Sequence, residues 1–147
     1  MKTTFIEGCI SVIKGIFFFF TPAMWLVLGV AMVSLVDTYY GIKKARKNGI
    51  VPTSRGFRKG YVPKVGAYTA VILLTYFLDY FLLNEFTANY ASIPFVSTKI
   101  IAIIFIANEV QSIDENWQEI KGYSFLKKLY SLITKVKDIK REVEDGK

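Results

Sequence analysis

The sequence predicts an all-α integral membrane protein: three transmembrane helices, then a cytoplasmic C-terminal helix that is amphipathic or forms a coiled coil. Three observations carry this. The run Ile16–Val36 has no charge across 21 residues, long enough at helical rise to cross a bilayer. Two further apolar stretches follow, Val65–Leu83 and Ile93–Val110, each interrupted by ionisable residues. Charged residues make up 21% of the chain and lie almost wholly outside these runs. With about 60 of 147 residues committed to lipid, no soluble domain of ordinary size (~100–150 residues) fits beside them. The chain divides into a leader at the outer interface (1–15), a three-span membrane domain (16–110) and a cytoplasmic helical tail (111–147).

The leader segment Thr4–Gly15 is weakly amphipathic. It is expected to be a short lead-in along the outer interface, or else an extension of the first helix. The first span is not a cleavable signal peptide. Its apolar run exceeds the usual ~7–15 residues, and it ends in Asp37-Thr38-Tyr39-Tyr40 instead of a small-residue cleavage site. Pro22 is expected near the outer end of this span, where a proline costs little. The second span carries Tyr68, Tyr76 and Asp79. The third follows Pro94, contains Lys99 and runs out at Asn108-Glu109, so its fully apolar centre, Ile100–Ala107, is only eight residues long. Such a segment needs partner helices.

Basic residues set the orientation. Eight lie between the first two spans (Lys43, Lys44, Arg46, Lys47, Arg55, Arg58, Lys59, Lys64) against one acid, Asp37. The second loop, Asn84–Ser92, has none and contains Glu85, whereas Lys121, Lys127 and Lys128 follow the third span. The basic loop and tail belong in the cytoplasm, giving N-out, C-in across a bacterial inner membrane. The net charge of +7 is thereby assigned to topology and anionic lipid, and no nucleic-acid partner is expected.

The chain has no histidine and one cysteine, Cys9. That removes His-based acid–base chemistry, His/Cys metal sites, thiol–imidazole nucleophiles and any internal disulfide. Asp37, Asp79, Glu109 and Glu115 are spread over both membrane sides and converge on no nucleophile or metal motif. No enzyme, cofactor or metal is expected.

Two helix faces suggest association. Ala31, Ser34, Thr38, Gly41 and Ala45 recur at intervals of 3, 4, 3 and 4, one face of a helix that continues into the cytoplasm. Gly66 and Ala70 repeat the small-xxx-small spacing in the second span. Small residues let backbones approach closely in lipid, within one subunit or between subunits. In the tail, Phe125, Leu129, Leu132, Val136, Ile139 and Val143 form an a/d heptad seam flanked by Lys and Glu. This seam suits either a coiled coil or a helix lying on the inner leaflet with Lys127, Lys128, Lys135 and Lys137 near the headgroups.

The two charges within the spans are expected to meet. A short connection makes the second and third spans antiparallel neighbours. Asp79 lies four residues before Leu83 and Lys99 six residues after Ile93, so both fall at similar depth. A lone charge deep in a span costs roughly 3 kcal/mol on insertion scales, which pairing reduces. Alternatively, each reaches headgroup water separately.

Taken in order, these pieces resemble the toxin-secretion/phage-lysis holin family. The resemblance rests on Asp37-x-x-x-Gly41 with Lys43-Lys44-Ala45-Arg46 after the first span. It continues through Ser54-Arg55-Gly56-Phe57 and Lys59, then Leu78-Asp79, then Ala107-Asn108-Glu109-x-x-Ser112-Ile113-x-Glu115-Asn116. It covers roughly Pro22–Asn116. The leader, and the heptad tail beyond Gly122, are longer than the family pattern. The resemblance implies a protein that accumulates in the inner membrane as a homo-oligomer and opens lesions through which an endolysin or toxin crosses. Thr69, Thr75, Asp79, Thr98 and Lys99 are candidates for a face that tolerates water. The competing reading is a non-lytic scaffold that recruits a partner through its tail, and a regulated channel is a third.

Overall fold

The computed structural model describes residues 2–83 and 93–145, with side chains described for 6–83 and 93–141. Four α-helices form: α1 (Lys2–Lys47), α2 (Ser54–Leu78, extended by a π-helical turn Asp79–Leu83), α3 (Val96–Lys121) and α4 (Phe125–Asp145). The first three are long and apolar enough to cross a membrane. The second loop, including Glu85, lies outside the described residues.

α1 has 46 residues, about 69 Å at 1.5 Å per residue, which is more than twice a ~30 Å hydrocarbon core. The leader is therefore the opening stretch of α1, and the boundary at residue 15 marks no break in the helix. Pro22 consequently does not sit in a first turn. The helix runs for about five turns before it, and the ring interrupts the backbone ladder in mid-helix.

The basic loop is also shorter than the spans imply. α1 ends in a Schellman turn, with Gly49 at φ +76°. The Gly49 N–H returns to Arg46 O at 3.1 Å and the Ile50 N–H to Ala45 O at 2.9 Å. Thr53 then caps α2, its hydroxyl accepting from the Gly56 N–H at 3.1 Å. Helix thus resumes at Ser54, eleven residues before the apolar run at Val65. α1 and α2 extend past their apolar runs as a helical hairpin.

All three spanning helices share one core of Ala23, Val30, Ile72, Tyr76 and Ala102, flanked by Phe19, Phe20, Tyr68, Phe95 and Phe105. The Tyr76 hydroxyl donates to Phe19 O at 2.6 Å and the Tyr61 hydroxyl to Ala31 O at 3.2 Å, tying α2 to α1. Large apolar side chains face outward at membrane depth: Phe17, Phe18, Trp25, Leu28 and Met32 on α1, Leu74 and Phe77 on α2, Ile100 and Ile103 on α3. In water this surface would be a fault; against acyl chains it is the expected exterior. A multi-pass membrane protein follows from the three helices and this inversion.

The small-residue stripe on α1 turns inward. Ser34 is fully buried and Ala31, Thr38, Gly41 and Ala45 are half-buried against the chain's own helices. Gly66 and Ala70, by contrast, are exposed, and a Cβ at Gly66 would meet nothing within 4 Å.

Candidate functional site

Charge buried between the helices marks the site. On α2, Lys64, Tyr68, Ile72 and Tyr76 recur every four residues and point into the bundle. On α3, Glu109 is 1% exposed, and on α1, Asp37 is buried one turn from Ser34. Lys64 joins them, its Nζ 2.9 Å from Asp37 Oδ2 and 2.7 Å from Glu109 Oε2. The Tyr68 hydroxyl donates to Glu109 Oε1 at 2.7 Å, and its ring stacks on Phe105 at 4.3 Å. Asn116 Nδ2 donates to Asp37 Oδ1 at 3.1 Å. Two carboxylates thus share one ammonium and two neutral donors, and the group ties all three spanning helices together. Ser34 Oγ is buried without a hydrogen-bond partner and carries the polar strip one turn further toward the bilayer.

The strip opens on the side of the basic loop through a cleft of about 330 Å³ between α1 and α2, lined by Gly41, Ala45, Thr53, Gly56 and Gly60 with Asp37, Lys64 and Asn116. A Cβ on Gly41 would come 3.9 Å from Asn116 Nδ2, an ordinary contact. Beyond it, Lys44 Nζ pairs with Glu119 Oε1 at 2.6 Å. Lys47 Nζ donates to Glu119 O and Ile120 O, at 2.8 and 3.0 Å. A lysine of α1 therefore caps the last carbonyls of α3, where a cation is favoured.

At the other end of the bundle, Asp79 and Lys99 do not form the expected ion pair. Asp79 is 1% exposed, and its Oδ2 accepts from the Thr98 N–H at 2.7 Å and the Thr98 hydroxyl at 2.6 Å. Phe95 precedes α3 in the left-handed region (φ 57°) and supplies no side-chain cap, so a carboxylate from α2 serves instead. The free N–H groups and positive end of the helix dipole take the place of a cation. Lys99 is left half-exposed one residue further on.

The same device recurs below α3. Asp114 Oδ1 accepts from the Phe125 and Leu126 N–H groups at 2.7 and 3.1 Å, and Oδ2 accepts from the Ser124 hydroxyl at 2.6 Å. Ser124 Oγ in turn accepts from the Lys127 N–H at 3.0 Å. Asp114 lies beyond the apolar run of α3. Burial pushes its carboxyl up, but the Ser124, Leu126 and Phe125 hydrogen bonds, with Lys127 nearby, outweigh this and hold it below the ordinary carboxylate range. α4 leaves this anchor with its seam uncovered: Leu129 and Leu132 are 52% exposed, Val136 66% and Ile139 60%. The Val143 side chain lies outside the described residues.

Of the positions that carried the family resemblance, Asp37, Glu109 and Asn116 converge, and Gly41 and Gly56 line the cleft beside them. Lys59, Asn108 and Glu115 face outward, Glu115 accepting only from Gln111 at 3.2 Å. Of the candidate water-tolerant face, Asp79 and Thr98 are buried on one another, while Thr69, Thr75 and Lys99 are half-buried. These do not make one open polar stripe. Sequence reasoning treated Lys64 as one more loop cation and missed the roles of Tyr68, Thr98, Asp114 and Ser124. The fourfold spacing from Lys64 through Tyr68 and Ile72 to Tyr76 was the signal available for the first two. Among the described residues, no three potential metal ligands converge.

A model of the bacteriophage holin family matches residues 14–138. The chain belongs to the bacteriophage holin family. The match takes in only the last two residues of the leader but runs into the tail as far as Asp138, so the first two-thirds of α4 is part of the holin pattern and not an appendage to it. No curated protein and no solved structure matches the chain. As a holin-family member with three apolar helices, the protein is a holin-like component of the membrane, in a family that is non-enzymatic.

Proposed function

We propose that this holin accumulates in the bacterial inner membrane, N-out and C-in, oligomerises, and opens lesions through which an endolysin or toxin crosses. One observation supports this above the others: the charged side chains buried within the bundle, Asp37, Lys64, Asp79 and Glu109, are turned onto partners in the same chain, while the outside is apolar. A protomer closed in this way can collect in lipid without conducting. A lesion wall needs polar side chains facing water, and Ser34, Asp37, Lys64 and Glu109 are the strip that supplies them. Opening therefore parts α3 from α1 and α2 along this seam. Gly66 and Ala70, outward and unobstructed, offer α2 of one protomer a close approach to another.

The test places a reporter in the seam. In a Cys9→Ser background, Ser34→Cys is buried and small enough to leave the packing intact. After induction, membrane potential should hold and then collapse abruptly, and an impermeant maleimide should modify position 34 only from the moment of collapse. Modification at all times, or collapse without modification, rules the seam out as lesion wall. Cells that stay polarised favour the scaffold reading, and graded conductance favours a channel. Cysteines at positions 47 and 89 fix the topology: 47 should be protected on intact spheroplasts and 89 accessible.

A further inference from the structure

We propose that α4 is a lipid-binding helix that lies on the anionic cytoplasmic surface of the membrane the protein spans, with its apolar face in the acyl boundary. Three features of the helix choose lipid over a second copy of the chain.

The first is width. Leu126 and Ile133 lie beside the Phe125–Leu129–Leu132–Val136–Ile139 seam, so as far as Ile139 the apolar arc spans roughly 140° at 100° per residue, broader than a two-position coiled-coil stripe, and Lys140 enters it only past that point. Ile133, outside the a/d pattern, is 47% exposed along with the seam itself.

The second is charge. α4 carries six basic residues and four acids, but three of the acids, Glu142, Glu144 and Asp145, fall in its last turn, so Phe125–Arg141 has six basic residues against Asp138 alone. Coiled coils select partners through opposite charges at the positions flanking the seam. Here those flanks carry Lys128 and Lys135 on one side and Lys140 on the other. In a parallel pair Lys135 of one copy faces Lys140 of the next, a like-charge contact. An anionic headgroup layer offers Lys128 and Lys135 a counter-charge along the whole flank, and amphipathic helices with basic flanks bind such surfaces.

The third is position. The Asp114 cap and the three-residue turn Gly122–Ser124 fix the start of α4 beside an aromatic cluster. Trp117 packs on Tyr40 at 5.5 Å and on Tyr123 and Phe125 at 6.2 Å. Lys121 Nζ lies 5.9 Å from the Trp117 ring and Lys128 Nζ 5.4 Å from the Tyr123 ring. Trp and Tyr with nearby lysines are the residues of the membrane–water boundary. α4 therefore begins among residues suited to the membrane–water boundary.

The experiment uses the full-length protein with Cys9→Ser and a single cysteine, Val136→Cys in the apolar arc or Thr134→Cys on the opposite face, each carrying an environment-sensitive NBD label. It is reconstituted into phosphatidylcholine vesicles with or without phosphatidylglycerol. In anionic vesicles the label at 136 should shift to the blue and be quenched severalfold by brominated acyl chains, while the label at 134 should not. High salt, or Lys128, Lys135, Lys137 and Lys140 changed together to Gln, should reduce the effect to that in neutral vesicles. A shift independent of lipid charge, equal signals at 134 and 136, or no shift at either overturns the proposal. So does excimer emission from pyrene at 136, which marks a second copy as the occupant. The reading is the same for either insertion direction and does not depend on lesion formation, so it fails or stands apart from the proposed function.

Discussion

At the end of the bundle beside the basic loop two buried carboxylates, Asp37 and Glu109, share one lysine. At the opposite end the buried carboxylate of Asp79 is held by Thr98, and among the described residues no cation pairs with it. Both ends place charge where solvation is poor, and they compensate it by different means. The Asp37–Glu109 cluster uses an opposite charge on a flexible stem, drawn from a third helix. The Asp79 site uses the fixed dipoles of a helix start. An ion pair can be broken by pulling one helix away, and its parts, once wetted, are good lining for water. A capped helix end gains nothing from separation. Under the proposed function, the Asp37–Lys64–Glu109 seam is the place where the protein opens and the Asp79 site is where it stays fastened.

Changing Lys64 should break this contrast most severely. Lys64→Met leaves Asp37 and Glu109 facing one another without their cation. The expected loss is about 3 kcal/mol, the lower end for a buried pair because the Lys64 side chain is still 31% exposed. It should appear as reduced accumulation or a lowered thermal midpoint in detergent. Adding Glu109→Gln should recover part of the loss; no recovery means that the lysine acts through its stem alone.

The Asp79 site should respond less. Asp79→Ala removes a helix cap and is expected to cost about 1–2 kcal/mol by the same midpoint measurement. Asp79→Asn keeps an acceptor oxygen for the Thr98 N–H and should cost less than half of that. Equal losses for the two variants would show that charge, not capping, holds Asp79 in place.

Asp114 offers a pH test of the second carboxylate cap. Its folded value lies below the ordinary 3.8, so the unfolded state binds the proton more readily. The stabilisation is complete above the ordinary value and lost as pH falls through the folded one. Trp117 fluorescence, in a Trp25→Phe background, should stay constant from neutral pH to about 5 and change only below the ordinary carboxylate range. In Asp114→Asn that acid transition should vanish.

The smallest effect is expected at Lys99. With no partner on Asp79, Lys99→Gln should shift the midpoint by less than about 0.5 kcal/mol and add to Asp79→Asn without coupling. A coupling above that size would restore the ion pair.

Much of this architecture can be read from the chain before any contact is known. Uncharged length gives the spans, and their number, together with the basic loop and the heptad tail, gives an all-α membrane protein with a fourth helix. Helix ends were harder. α2 begins at Ser54 because Thr53 caps it and the basic residues after it are compatible with helix, whereas hydropathy registers only the lipid-facing part from Val65. The leader merges into α1 for the same reason: nothing between Gly15 and Ile16 interrupts the backbone hydrogen bonds. Asp79 was recognised as costly, but its partner was misjudged by one residue. Opposite charges at similar depth suggested Lys99, while the nearest donors were the backbone and hydroxyl of Thr98.

The sequence by itself determined which segments enter lipid, where the positive charge lies and which helix faces are apolar, because these depend on residue type and on a fixed helical period. Only the tertiary structure decided that Lys64 bridges Asp37 and Glu109, that the α1 small-residue stripe packs inward while Gly66 and Ala70 stay open, and that Asp79 and Asp114 cap helices. Those outcomes depend on how each helix is rotated about its axis and how far it slides along its neighbours. Ångström-scale hydrogen-bond geometry among three helices sets both, and no local pattern along the chain encodes it.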